Sequence, residues 1–131
     1  MCLDFESEQY MQLQWRDYFY QILISCRADG LYETNYHALQ GLWELIPEFT
    51  ALDDFHRNFL IAFHIRQFRR FGATGSDEEL TMICLFLMGM EDGVGLAFAH
   101  LTPKQSKQLW QLQYDTYCFH LERILPSASS T

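Results

Sequence analysis

The chain has 131 residues, 49% of them apolar and 16% aromatic, with only seven glycines and three prolines. That is one domain's length with enough apolar side chain for a real core, which excludes disorder and disfavours turn-rich sandwiches and barrels. The formal net charge of −8 argues against direct binding to nucleic acid or an anionic membrane, because phosphates would be repelled.

Residues 5–27 read as one long helix. Met11, Trp15, Tyr18, Phe19, Ile22 and Cys26 share a stripe at helical spacing. Asp29-Gly30 is a stop signal. Thr34 or Asn35 caps a second, shorter helix to about Leu45, whose buried stripe is Tyr36, Leu39, Trp43 and Ile46. Pro47 closes it, since the residue before a proline avoids the helical region.

The central element is a helix over residues 51–71, capped by Thr50 with Asp53 at N3. Phe55, Phe59 and Phe63 recur every four residues, and Leu52, Leu60, Ile61, Ile65 and Phe68 extend the apolar surface round the helix. A helix apolar on several sides is expected to be surrounded by other elements. Gly72 supplies its stop, and Arg66, Arg69 and Arg70 complement the dipole in its last turns. Salt bridges from these arginines to Asp77, Glu78 and Glu79 across the loop are expected.

Ser76 and Glu79 form a capping box for the next helix, with Leu80, Ile83, Cys84, Leu87 and Met88 on one face. Gly89, Gly93 and Gly95 are expected to break it into a flexible turn, followed by a turn or two of helix over residues 96–100. Thr102-Pro103-Lys104-Gln105 is a second capping box with proline at N1. The helix it opens buries Trp110, Tyr114, Tyr117, Leu121, Ile124 and Leu125 and ends at Pro126. The expected fold is all-α: a single-domain orthogonal or irregular bundle of five to six helices over residues 1–126, packed around the helix at 51–71, with a polar tail at 127–131.

Cys2, Cys26, Cys84 and Cys118 have neither CxxC nor metal-ligand spacing. The N-terminus has no secretory apolar region, and the longest apolar run, Met82–Met90, is too short to span a bilayer. A cytoplasmic protein with reduced thiols is expected.

Chemistry is sparse. Asp53-x-x-His56, with His64 two turns on, has the spacing of a di-metal bundle motif, but that motif needs two copies and further carboxylates. It reads better as a helix-starting acid with partly buried histidines, and neither metal nor cofactor is expected. The glycine stretch lacks the lysine and hydroxyl of a phosphate loop, and Glu91 and Asp92 within it would repel phosphate. His37, His100 and His120 fit no catalytic signature. The chain is therefore read as a non-enzyme.

The usable signal is acidity. Residues 72–101 alone carry five acids and no base. Glu44, Glu48, Asp77, Glu78, Glu79, Glu91 and Asp92 are the candidate contacts for a basic partner. Tyr32, Tyr36, Trp43 and Phe49 are available as aromatic anchors. In size, charge and helical architecture the chain resembles bacterial immunity proteins of contact-dependent growth inhibition and type VI secretion systems. That resemblance implies a cytosolic, non-catalytic inhibitor that occludes a cognate toxin domain, often a nuclease. No diagnostic motif accompanies it, so it assigns no residue. An adaptor that holds a partner helix in an apolar groove is the alternative, and a small enzyme with a pocket around His56 or His100 is a third.

Overall fold

A computed structural model of the chain describes residues 4–28 and 45–126. The expected second helix, Glu44, the anchors Tyr32, Tyr36 and Trp43, Cys2 and the polar tail lie outside the described residues. Within them the fold is all-α. The elements are α1 (Glu8–Met11), α2 (Trp15–Ala28), α3 (Pro47–Arg70), α4 (Asp77–Ala97), a 3₁₀ turn (Phe98–His100) and α5 (Pro103–Leu121).

The single first helix expected from periodicity is two. Residues 12–14 interrupt it, and the interruption has a tertiary cause. The rings of Phe5 and Tyr10 pack at a tilt with centroids 5.0 Å apart, and the Tyr18 hydroxyl donates to the Phe5 carbonyl at 3.1 Å. Arg70 donates from Nη1 to the carbonyl of Met11 at 3.3 Å, capping α1 from the far end of α3. Its guanidinium then lies over the rings of Phe71 at 4.0 Å and Tyr18 at 4.9 Å. Local periodicity carries no record of such contacts.

α3 is the long central helix, but it begins at Pro47 and not after Thr50. Proline suits N1, where a missing N–H costs nothing, so Pro47 opens this helix. The stop at Gly72 is as expected. Gly72 takes φ 92°, its N–H donates to Arg69, and the Ala73 N–H donates to Phe68 at 2.8 Å. Those two bonds make a Schellman cap.

α4 starts on the expected Ser76–Glu79 capping box, with both reciprocal hydrogen bonds formed. Its other end departs from expectation. Gly89, Gly93 and Gly95 do not break it, and the helix runs 21 residues to Ala97. Each glycine costs helix about 0.5–1 kcal/mol. The stripe Leu80, Cys84, Leu87, Glu91, Gly95, buried along the whole length, outweighs that. Uninterrupted, α4 is long and apolar enough to cross a membrane by length and composition, which corrects the expectation that no segment reaches that length. Its buried stripe is also that of a core helix. α5 opens on the expected Thr102–Gln105 box.

The core is Trp15, Tyr18 and Phe19 of α2, Phe68 of α3, Leu80, Cys84 and Leu87 of α4, and Leu121 and Leu125 at the end of α5. α3 and α4 run antiparallel. Arg69 pairs with Asp77 at 2.7 Å at one end, and Asp92 feels the charges of Asp53 and Arg57 at the other. α4 and α5 are likewise antiparallel. The Tyr117 hydroxyl donates to the Leu87 carbonyl at 3.2 Å, and Gln113 donates to Glu91. The loop after α3 is pinned to the end of α5 by the Thr74 N–H, which donates to Ile124 at 3.0 Å.

Candidate interaction surface

α3 has two apolar faces about half a turn apart, at 100° per residue. Ile61, His64 and Phe68 point into the core. Leu52, Phe55 and Phe59 point away, and they are 58%, 70% and 58% exposed. The expectation that a helix apolar on several sides is surrounded is therefore corrected for the N-terminal half of α3. Phe49 and Leu45 extend the exposed stripe to the helix start. At roughly 200 Å² per large side chain, the five leave about 600 Å² of apolar surface, at the upper end for one patch on a monomer.

One acid lies on the stripe's side of the helix, and others lie further round it. Glu48 sits in the first turn of α3 and is exposed. Asp54 is exposed, and Asp53 pairs only weakly with Arg57, at 3.3 Å one turn on. At 100° per residue Asp53 and Asp54 fall on the other side of α3 from the stripe, and it is there that Asp92 of α4 comes near Asp53. The Asp92 carboxyl pKa is raised, first by partial desolvation and then by the negative charge of Asp53, with Arg57 opposing. An exposed apolar stripe that carries Glu48, on a helix with further carboxylates round it, has the composition of a surface that anchors by burial and steers by charge.

The sequence-predicted acids do not form one patch. Asp77, Glu78 and Glu79 lie at the start of α4. Asp77 is held by Arg69 and Glu79 is spent on the capping box, while Glu78 is exposed. Asp92 is fifteen residues further along the helix, roughly 22 Å away at 1.5 Å per residue. Glu91 is corrected outright. It is 8% exposed, lies inside α4 and not in a loop, and accepts a hydrogen bond from buried Gln113. It is a packing group of the α4–α5 interface. Arg66 pairs with Glu6 at 2.7 Å, so of the three arginines only Arg69 makes the expected bridge across the loop.

Interior chemistry is modest. A cavity of about 20 Å³, enough for a single water molecule, is lined by Phe19, His64, Cys84 and Tyr117 among others. His64 donates from Nδ1 to the Leu60 carbonyl at 2.8 Å. Burial lowers its pKa, partly countered by that bond. Burial also raises the Cys84 thiol to about 11, which keeps it a thiol at neutral pH. His56 and His100 are exposed. Among the described residues no three His, Cys, Asp or Glu side chains come together as a metal site. An open cleft of about 600 Å³ lies between the start of α4 and the end of α5, with Glu78, Met82, Ile83, His120 and Arg123 on its walls.

Sequence reasoning missed the exposed residues Leu52, Phe55 and Phe59. Their spacing is visible in the sequence, but spacing gives two apolar stripes on α3 and not which one the bundle covers. No known protein family matches this chain, and no curated protein or solved structure compared with it is similar to it.

Proposed function

We propose that the protein is a non-catalytic binding protein that neutralises a basic protein partner by occlusion, acting in the cytoplasm as an immunity protein does against a nuclease-type toxin domain. The observation that carries this reading is the N-terminal half of α3. Leu52, Phe55 and Phe59 stand in solvent, with Glu48 on the same side of the helix and Asp53 and Asp54 further round it. Large exposed rings supply the anchors that acids alone lack. The acids and the net charge of −8 accelerate encounter with a basic surface.

Capture from the native cell tests it. Tagged protein should retain a basic partner, and Phe55→Ala with Phe59→Ser should lose that partner while remaining folded. Reversal of Glu48, Asp53 and Asp54 to Lys should slow association and weaken its salt dependence. A partner held equally well by the Phe55/Phe59 variant would remove this face from the account.

The same apolar stripe favours the adaptor reading, in which the partner supplies an amphipathic helix. Salt separates the two. Binding that is unchanged between low and high ionic strength selects the adaptor, because a helix seated by apolar burial needs no charge.

A further inference from the structure

A second apolar surface lies on the opposite hairpin, α4–α5, away from the α3 stripe. Met82 and Phe86 of α4 and Leu112 and Phe119 of α5 are each more than half exposed. Phe86 and Phe119 are neighbours, and Leu112 lies two turns before Phe119 on the same face of α5. Phe86 packs on His120 at 4.9 Å, and the Phe119 ring lies 5.2 Å from the same imidazole. Beside them the surface is open, since a Cβ on Gly89 or Gly93 would meet nothing within 4 Å.

The outer face of α5 is self-complementary about Phe119. Asp115 and Phe119 are spaced i, i+4 on α5, and Arg123 follows four residues later in the turn that continues past Leu121, where its N–H donates to the His120 carbonyl. Reversing the direction of the helix about Phe119 exchanges Asp115 with Arg123. The charges are available. Among the described residues Arg123 makes no ion pair, and Asp115 is bonded only to the neutral Gln111 amide, at 2.8 Å.

We infer that this face pairs with a second copy of the chain, α5 lying antiparallel to its counterpart across a two-fold axis at Phe119. The two Phe119 rings meet at the axis, each Arg123 faces the other copy's Asp115, and Met82 and Phe86 close one flank. A two-fold contact requires one patch to match itself, and opposite charges on either side of Phe119 do so. The four large side chains offer about 450 Å² of apolar surface per copy, more than half of the roughly 800 Å² each partner buries in a standard interface. Such an interface gives a reversible dimer. The inference does not rest on the proposed function, because it is read without any partner.

Sedimentation equilibrium of the purified full chain tests it. The wild type should show a monomer–dimer equilibrium below roughly 1 mM. Phe119→Asp should weaken it at least tenfold. Arg123→Asp and Asp115→Arg should each weaken it several-fold, and the double variant should recover most of the loss, which only a reciprocal pairing allows. Far-ultraviolet circular dichroism checks that each variant is folded. A wild type that stays monomeric up to about 1 mM overturns the proposal. So does a dimer that survives Phe119→Asp, or a double charge swap whose losses simply add.

Discussion

Gln113 of α5 donates a hydrogen bond to the carboxylate of Glu91 on α4, and both side chains are buried. The pair sits where an apolar contact would ordinarily be, so it fixes the register of the α4–α5 hairpin at an energetic risk. Gln113→Leu removes the donor and leaves the carboxylate buried. Stability should fall by about 1–3 kcal/mol, read as a lower urea midpoint at unchanged slope. The double variant Glu91→Met, Gln113→Leu should regain most of that, because neither polar group is then left to satisfy. A double variant as unstable as the single one would show that the pair contributes through packing alone.

Phe59 and Phe68 are nine residues apart on α3, yet one is 58% exposed and the other 1%. Phe68→Ala should cost about 3–5 kcal/mol by opening a cavity beside Phe19 and Leu121. Phe59→Ser should fall within about 0.5 kcal/mol of wild type, as surface substitutions do. Thermal unfolding of the two variants side by side checks this. An equal cost at both positions would mean that the stripe on the N-terminal half of α3 is covered in solution.

The sequence made two of the helix starts legible, because capping boxes are local. Ser76 with Glu79 and Thr102 with Gln105 each form both of the hydrogen bonds their spacing implies. It made the helix class legible too, since apolar residues at helical spacing have few other uses. Three features needed tertiary information. The break between α1 and α2 depends on Arg70, some sixty positions away. The survival of α4 through Gly89 and Gly93 depends on what its other face buries. Glu91 reads as a surface acid beside glycines, and only the presence of Gln113 on the facing helix makes it an interior one. The candidate surface was half legible. Acidity pointed to a charged interface, but the anchors it needed were assigned to the core because α3 looked apolar all round.

The caps give a graded prediction. Ser76→Ala and Thr102→Ala each remove the acceptor for an N3 amide, at 3.2 Å in both boxes. Each should cost about 1 kcal/mol, and Ser76→Asp should restore most of it, as Asp is an equally good N-cap. Denaturant midpoints decide the point. A silent Ser76→Ala would show that Arg69–Asp77 and the packing of Leu80 suffice to start α4.

His64 makes stability depend on pH. Its ring lies against Phe19, Phe63 and Phe68, and burial holds its folded pKa below the ordinary value of 6.5. The unfolded chain therefore binds the proton first as pH falls. Between 6.5 and the lower folded pKa the unfolded state carries more protons, so stability declines with falling pH, at most about 1.4 kcal/mol per unit for one proton. Above 6.5 the imidazole is neutral in both states and contributes no slope. Asp92 acts in the other sense. Its folded pKa is raised, so protonation favours the folded state, but only as pH falls towards the carboxylate range. Denaturation measured between pH 7.5 and 5.5 reads the decline due to the histidine. His64→Phe should flatten the decline over that interval while keeping the ring stack with Phe19. A variant that still loses stability with the wild-type slope would place the titrating group elsewhere.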